Sequence, residues 1–307
     1  MQVKILGAAA GGGFPQWNCA CSNCARLRAD TFNGTARSQA QIAVRAAGRP
    51  WCLVGASPDL RKQVLSHPQL GPQKRVRDSP IAAVVLTSGD VDQVMGLLHL
   101  REFQPLRIYA AGAIRRILRE ENSIFGVLEQ TNPQAEWQTL STNLVHHLEA
   151  PDGAKLDLAV RPISLGGNLP GYARNSAAKR DAADAVMGLF IEANHRKIFC
   201  APSLPRTDES WLAEWDACDL VLIDGTFWCD DELLRTRGEG KTAREMGHVP
   251  ISGADGTLES LARLKHPRRM FIHINNTNPI LDEDSAEFRQ VIDAGWEVAR
   301  DGMDIEL

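Results

Sequence analysis

With 307 residues, 44% of them hydrophobic, the chain carries enough apolar material for one large core, and its length alone leaves one or two domains open. Its net charge of −4 comes from basic and acidic residues that are scattered along the chain, which excludes the massed basic face of a nucleic-acid-binding protein. No apolar stretch reaches the roughly 18 to 20 residues of a membrane span. The opening Met1-Gln2-Val3-Lys4-Ile5-Leu6-Gly7 has no basic region, long apolar run or cleavage site of an export signal, so a cytoplasmic location is expected.

Short apolar runs predict strands at residues 3–6, 42–44, 51–54, 81–86, 107–109, 156–163, 186–191, 198–200, 220–223 and 270–274. Helical spacing of apolar residues predicts helices at 58–66, 91–101, 113–120, 207–215, 256–264 and 285–294. Strands come in succession early and alternate with helices later. That order suits an α/β architecture of two sheets packed together with helices outside, better than an alternating doubly wound sheet. No repeat period and no long Pro/Ser/Gly linker interrupts the chain, so a single domain over 1–307 is the simplest reading. Residues 166–181, rich in Gly, Asn, Ala and charge, read as a loop able to cover an active site.

The first strand runs into Gly7-Ala8-Ala9-Ala10-Gly11-Gly12-Gly13-Phe14-Pro15. This lacks the Gly-x-Gly-x-x-Gly register and the Gly-Lys-Ser/Thr ending of phosphate loops, and its glycines are better suited to a tight turn passing close to a neighbouring site. Next, Cys19, Cys21 and Cys24 place three thiols within six positions, while Cys52, Cys200, Cys218 and Cys229 stand apart in or beside apolar runs. Without an export signal such a cluster reads as metal ligands rather than disulfides, and three soft thiolates converging on one tetrahedral cation suit structural zinc. A fourth ligand has to come from elsewhere, and the Asn-rich run after His273, Asn276 in particular, is one place to look.

The densest segment is 81–98, where a buried strand runs into Thr87-Ser88-Gly89-Asp90-Val91-Asp92-Gln93 and then a helix whose Val94, Leu97 and Leu98 face the core. Its layout resembles the metallo-β-lactamase motif His-x-His-x-Asp-His, with Ser88, Asp90 and Gln93 at the three histidine positions and Asp92 kept. Taken alone, Asp90 and Asp92 are residues that commonly cap a helix start. Together with the glycine-rich opening, the Cys-x-Cys-x-x-Cys run, Leu222-Ile223-Asp224-Gly225-Thr226, Arg244-Glu245-Met246-Gly247-His248 and Phe271-Ile272-His273-Ile274-Asn275-Asn276-Thr277-Asn278-Pro279, they resemble the family of coenzyme PQQ synthesis protein B (PqqB) over nearly the whole chain. Many members carry His where this chain has Gln93.

The resemblance implies an αββα metallo-β-lactamase sandwich, two mixed β-sheets flanked by helices. It implies a second metal held by Asp90, Asp92 and His273, with Ser88, Gln93 and Asp224 as further candidates, and Asp224 and His248 positioning ligands or substrate. Two carboxylates and an imidazole with open positions suit non-haem Fe(II), whereas the closed thiolate site suits Zn(II). The implied function is in making pyrroloquinoline quinone (PQQ), by iron-dependent, O₂-using hydroxylation of the tyrosine ring in a Glu-Tyr precursor. A second reading, from a different class, is a carrier that binds PQQ or its precursor and hands it to a membrane partner for passage to the periplasm. A third is a metal-dependent hydrolase, disfavoured because hydrolysis calls for a His-rich site generating hydroxide. Expected partners are a small-molecule or dipeptide precursor, with no nucleic acid and no membrane span; oligomeric state is open, a dimer among the options.

Overall fold

The structure, a computed structural model, describes residues 1–73, 75–102, 104–130, 134–173 and 183–307. The strands are β1 (Gln2–Gly7), β2 (Gln41–Arg45), β3 (Trp51–Val54), β4 (Ile81–Val85), β5 (Leu106–Ala111), β6 (Ala135–Leu140), β7 (His146–Glu149), β8 (Lys155–Gly166), β9 (Val186–Ala193), β10 (Arg196–Ala201), β11 (Leu220–Asp224), β12 (Arg268–Ile272), β13 (Glu297–Val298) and β14 (Asp304–Glu306). They form two mixed seven-stranded sheets, in the orders β14-β1-β2-β3-β4-β5-β6 and β13-β12-β11-β10-β9-β8-β7. The chain divides into two compact units, one of residues 1–6, 41–196 and 302–307, the other of 7–40 and 197–301.

In the first unit β3 to β6 pair in parallel, and β4, Ile-Ala-Ala-Val-Val, is buried throughout, as a strand covered on both faces requires. The long β8 instead alternates buried and open positions in antiparallel pairing with β7 and β9. The expected helix 91–101 is one α-helical stretch, Val91–Val94, continued as a 3₁₀ helix, Met95–Arg101, and Leu98 is half-buried where a core position was expected. The change of winding accompanies a close backbone contact: Gly96 N–H donates to Ala56 O at 2.8 Å, and a Cβ on Gly96 would lie 2.2 Å from Ser57 O. Of the expected loop 166–181, residues 174–181 lie outside the described residues, while Gly166 itself ends β8.

In the second unit β10, β11, β12 and β13 run parallel, with Asp224 registered against Ile272. Phe199 stacks on Trp215 at 4.3 Å and Phe271 on Trp296 at 4.5 Å, so two aromatic pairs anchor this core. The glycine-rich turn passes directly beside the end of β12: Ile274 N–H donates to Ala8 O and Ala10 N–H to Ile274 O, both at 2.9 Å. Gly12 and Gly13, at φ of 95° and 71°, then reverse the chain in a conformation that favours glycine.

Four strands carry no apolar signature that would have marked them. β6 and β7 are half-polar, while β13 and β14 are two and three residues long. β14 exists because it pairs with β1 some 300 positions away in sequence, Val3 against Ile305, which no local pattern records.

Candidate functional site

Two groups of metal-competent side chains lie in the second unit, each with its ligand atoms within 4.8 Å of one another: Cys19, Cys21 and Cys24, and Asp224, His248 and His273.

The thiols do not share one turn. Cys19 and Cys21 precede a short helix, Ser22–Arg28, and Cys24 lies inside it, fully buried. The helix is invisible to apolar spacing because its buried residue is a cysteine. Asn276, from the loop after β12, faces the thiols with its side-chain Nδ2 3.1 Å from Cys19 Sγ, 3.5 Å from Cys21 Sγ and 3.4 Å from Cys24 Sγ. Asn23 secures that loop through its Nδ2, which donates to Asn276 O at 3.2 Å and Asn278 O at 3.0 Å. Burial alone would raise the Cys19 thiol, but donors from Cys21, Cys24 and Asn276 bring it below the ordinary thiol value. Burial, reinforced by the neighbouring thiols, instead pushes Cys21 up to about 11. A dication inverts this competition, because it binds the deprotonated form of every thiol at once. The donor set fits zinc. A tetrahedron with Zn–S near 2.3 Å and Zn–O near 2.1 Å has edges of about 3.5 Å, the distances found from the three sulfurs to the amide, whose O and N ends are interchangeable by a rotation about χ2.

The second group gathers at the carboxyl ends of adjacent parallel strands. Asp224 is the last residue of β11, and His273 follows β12 directly. His273 has φ of 61°, a left-handed conformation that a non-glycine residue holds only when its surroundings over-determine it. His248 follows a 3₁₀ turn, Arg244–Met246, and its Nδ1 lies 2.6 Å from Asp224 Oδ2. Asp224 is fully buried and also accepts Leu204 N–H at 2.8 Å on Oδ2, and Thr226 N–H at 2.9 Å and Thr226 O–H at 2.5 Å on Oδ1. Burial alone would raise its pKa; the charge and hydrogen bond of His248, then His273 and Thr226, outweigh it and hold the carboxyl below the usual range. Thr226 Oγ1 also lies 2.8 Å from His273 Nδ1, and the two imidazole rings stack 5.6 Å apart at 23°.

The hydroxyl at the centre of this cluster was not singled out in the sequence, although a Thr two positions beyond a strand-ending Asp is the pattern of a local side-chain turn. Asn278 was also missed. Fully buried, it donates from Nδ2 to Gly225 O at 2.9 Å and accepts Ile280 N–H at 3.1 Å on Oδ1, and so ties the Asn-rich loop to the turn after β11.

Ser88, Asp90, Asp92 and Gln93 belong to the first unit. Asp90 stands before the helix Val91–Val94 and accepts Gln93 N–H on its backbone carbonyl, but its side chain makes no capping bond; its Oδ2 accepts Ser88 O–H at 2.8 Å. Asp92 Oδ2 lies 3.5 Å from Gln93 Nε2, and Ser88 and Gln93 are buried. Tyr172 O–H donates to Gly89 O at 2.6 Å, and Pro170 packs against Gly89, so the segment after β8 clasps this turn.

Residues 50–274 match the beta-lactamase superfamily domain. Coenzyme PQQ synthesis protein B of Azotobacter vinelandii is 41% identical and that of Methylorubrum extorquens 40% identical, each alignment covering 100% of both chains. The chain belongs to the coenzyme PQQ synthesis protein B family. A crystal structure of Zn(2+)-bound PqqB from Methylobacterium extorquens superposes with a TM-score of 0.90 at 39% identity, covering 100% of both chains. A diphosphatase of the PhnP family shares the fold at a TM-score of 0.67 and 17% identity, covering 100% of this chain and 97% of its own. The fold is thus the αββα metallo-β-lactamase fold expected from the sequence. No helix among the described residues is long and apolar enough to cross a membrane.

Proposed function

We propose that this protein acts in the biosynthesis of PQQ as a metal-dependent enzyme, hydroxylating the tyrosine ring of a Glu-Tyr precursor with Fe(II) and O₂ in the cytoplasm. Membership of the family supports the pathway. The observation that carries the metal-dependent part is the buried cluster of His248, Asp224, Thr226 and His273, in which both imidazole Nδ1 atoms lie within hydrogen-bond reach of fixed oxygen partners. Histidines anchored through one nitrogen by an oxygen are the usual setting for binding a metal through the other. When bound, Fe(II) supplies the activation of O₂. The chain's own residues hold and orient: His273 is the ligand of this unit, and Asp224 and His248 position it and the substrate. Asp90 and Asp92, with Ser88 and Gln93 beside them, enter as ligands on the sequence alone. Cys19, Cys21, Cys24 and Asn276 hold a separate structural zinc.

Anaerobic reconstitution with Fe(II), followed by O₂ and a Glu-Tyr fragment, is expected to give a product heavier by roughly sixteen mass units, one oxygen atom. Asp92→Ala and His273→Ala should abolish it; turnover by both variants would refute the ligand assignment. One observation favours a second reading: Ser88, Asp90 and Gln93 stand where the superfold's hydrolases carry histidines. A carrier for PQQ or its precursor would bind PQQ tightly and give no product in the same experiment.

A further inference from the structure

The oxygen partners of the two imidazoles form one continuous chain, and its protons can be counted. Asp224 has about four lone-pair positions on its two oxygens. All four are in use: Oδ1 faces Thr226 N–H and Thr226 O–H, and Oδ2 faces Leu204 N–H and His248 Nδ1. A carboxylate that meets donors on every side has no lone pair left over for a cation. His248 Nδ1, at 2.6 Å from Oδ2, must therefore be the N–H end of its ring.

Thr226 has a single hydroxyl proton and three further neighbours for it: His273 O at 2.9 Å, His273 Nδ1 at 2.8 Å and His248 Nδ1 at 3.2 Å, besides Asp224 Oδ1 at 2.5 Å. The ionised carboxylate is both the shortest contact and the strongest acceptor, so the proton goes there. With that proton committed, Oγ1 can only accept from His273, which makes His273 Nδ1 a donor as well. Both rings are then locked as the Nδ1–H tautomer, with the lone pair on Nε2 in each. The two rings lie near-parallel, 23° between planes.

We propose that Asp224 and Thr226 are positioning residues rather than metal ligands: the chain His273 Nδ1–H to Thr226 Oγ1–H to Asp224, met from the other side by His248 Nδ1–H, fixes His273 to offer Nε2 to a divalent cation and leaves Nε2 of His248 for the substrate. Thr226 carries the hydrogen bond to His273 Nδ1 and a second one to Asp224 Oδ1. The proposal rests on the metal-dependent reading above for the cation and is independent of the reaction that the cation serves.

The test begins in the metal-free protein, labelled with ¹⁵N-histidine and held above the titration range of imidazole. Long-range ¹H–¹⁵N correlation spectra should show Nδ1–H for both His248 and His273. Thr226→Val, which keeps the shape and removes the hydroxyl, should release His273 to the Nε2–H form while His248 stays locked. Asp224→Asn should release His248. Fe(II) titrated anaerobically into protein whose thiol site already holds Zn(II) should bind Thr226→Val about 10 to 100 times more weakly than wild type, the usual effect of removing a ligand's oxygen partner, with affinity recovered in Thr226→Ser. Nε2–H on both rings of the wild-type protein would overturn the proposal without any variant having to fold. So would an unchanged His273 tautomer and unchanged Fe(II) affinity in Thr226→Val. If the tautomers and affinities behave as stated and no hydroxylated product forms, the positioning chain stands and the oxygenase reading fails.

Discussion

Replacing Gly225 by Ala tests how tightly the end of β11 is pressed against β12. A methyl group there would stand 2.8 Å from Phe271 Cβ, 3.3 Å from Ile272 O and 3.4 Å from Ile274 Cγ1. Carbon atoms in contact prefer about 3.5 to 4.0 Å, so the first neighbour must retreat by roughly 0.7 Å or more. That neighbour is the β-carbon of a residue fully buried in a stacked aromatic pair, and it has no rotamer by which to escape. The strand itself has to move, against the 2.7 Å bond from Gly225 N–H to Ile272 O. Overpacking of this kind costs about 1 to 3 kcal/mol. At about 2 to 4 °C per kcal/mol for large domains, Tm should fall by about 2 to 12 °C in thermal unfolding followed by circular dichroism. Because His273 follows Ile272, Fe(II) affinity should fall with it. A Gly225→Ala protein with wild-type Tm would show that the strand end yields to a methyl group and that this close approach does not require glycine.

Cys21→Ala is expected to remove one zinc per chain, measured by elemental analysis, and to lower Tm, since a structural metal site contributes its binding free energy to folding; unchanged zinc content would dismiss the thiol site. Glu232, buried at the start of the helix Glu232–Arg237, accepts Trp228 N–H at 2.6 Å and Thr277 O–H, and burial pushes its pKa from 4.5 up to about 7. The folded chain therefore holds this proton where the unfolded chain has lost it, so the stabilisation is full below pH 4.5 and is lost as pH rises to about 7, an upper limit of about 3 kcal/mol. Glu232→Gln should flatten that fall in urea midpoints measured between those pH values; a parallel slope in wild type and variant would assign the pH dependence to other groups.

The elements that the sequence showed best are those whose burial is complete and local. β3 was delimited to the residue, and β4 and β11 to within one, because a strand covered on both faces is an uninterrupted apolar run. Asp224 and His273 stood out for the same reason, as polar residues stationed where such a run stops. Cys19, Cys21 and Cys24 declared themselves by type and spacing, since three thiols so close together have few other uses. The Asn-rich run pointed to Asn276, but its reach to three sulfurs across some 250 positions of chain is a property of the loop after β12 alone.

What the sequence by itself determined is therefore the family, the strands of the two sheet centres and the chemistry available: soft thiols, imidazoles and carboxylates at strand ends. What only the tertiary structure decided is which of those groups meet. Thr226 looks like any turn threonine until β11 and β12 lie side by side, and the neighbours of the Asp224 oxygens, Leu204, Thr226 and His248, come from separate stretches of the chain. Pairing of β14 with β1, the left-handed backbone at His273 and the burial of Asn278 belong to the same class. The physical reason is common to all of them. Apolar burial is set residue by residue and leaves its period in the chain, whereas a hydrogen bond is directional and depends on where a distant partner comes to rest.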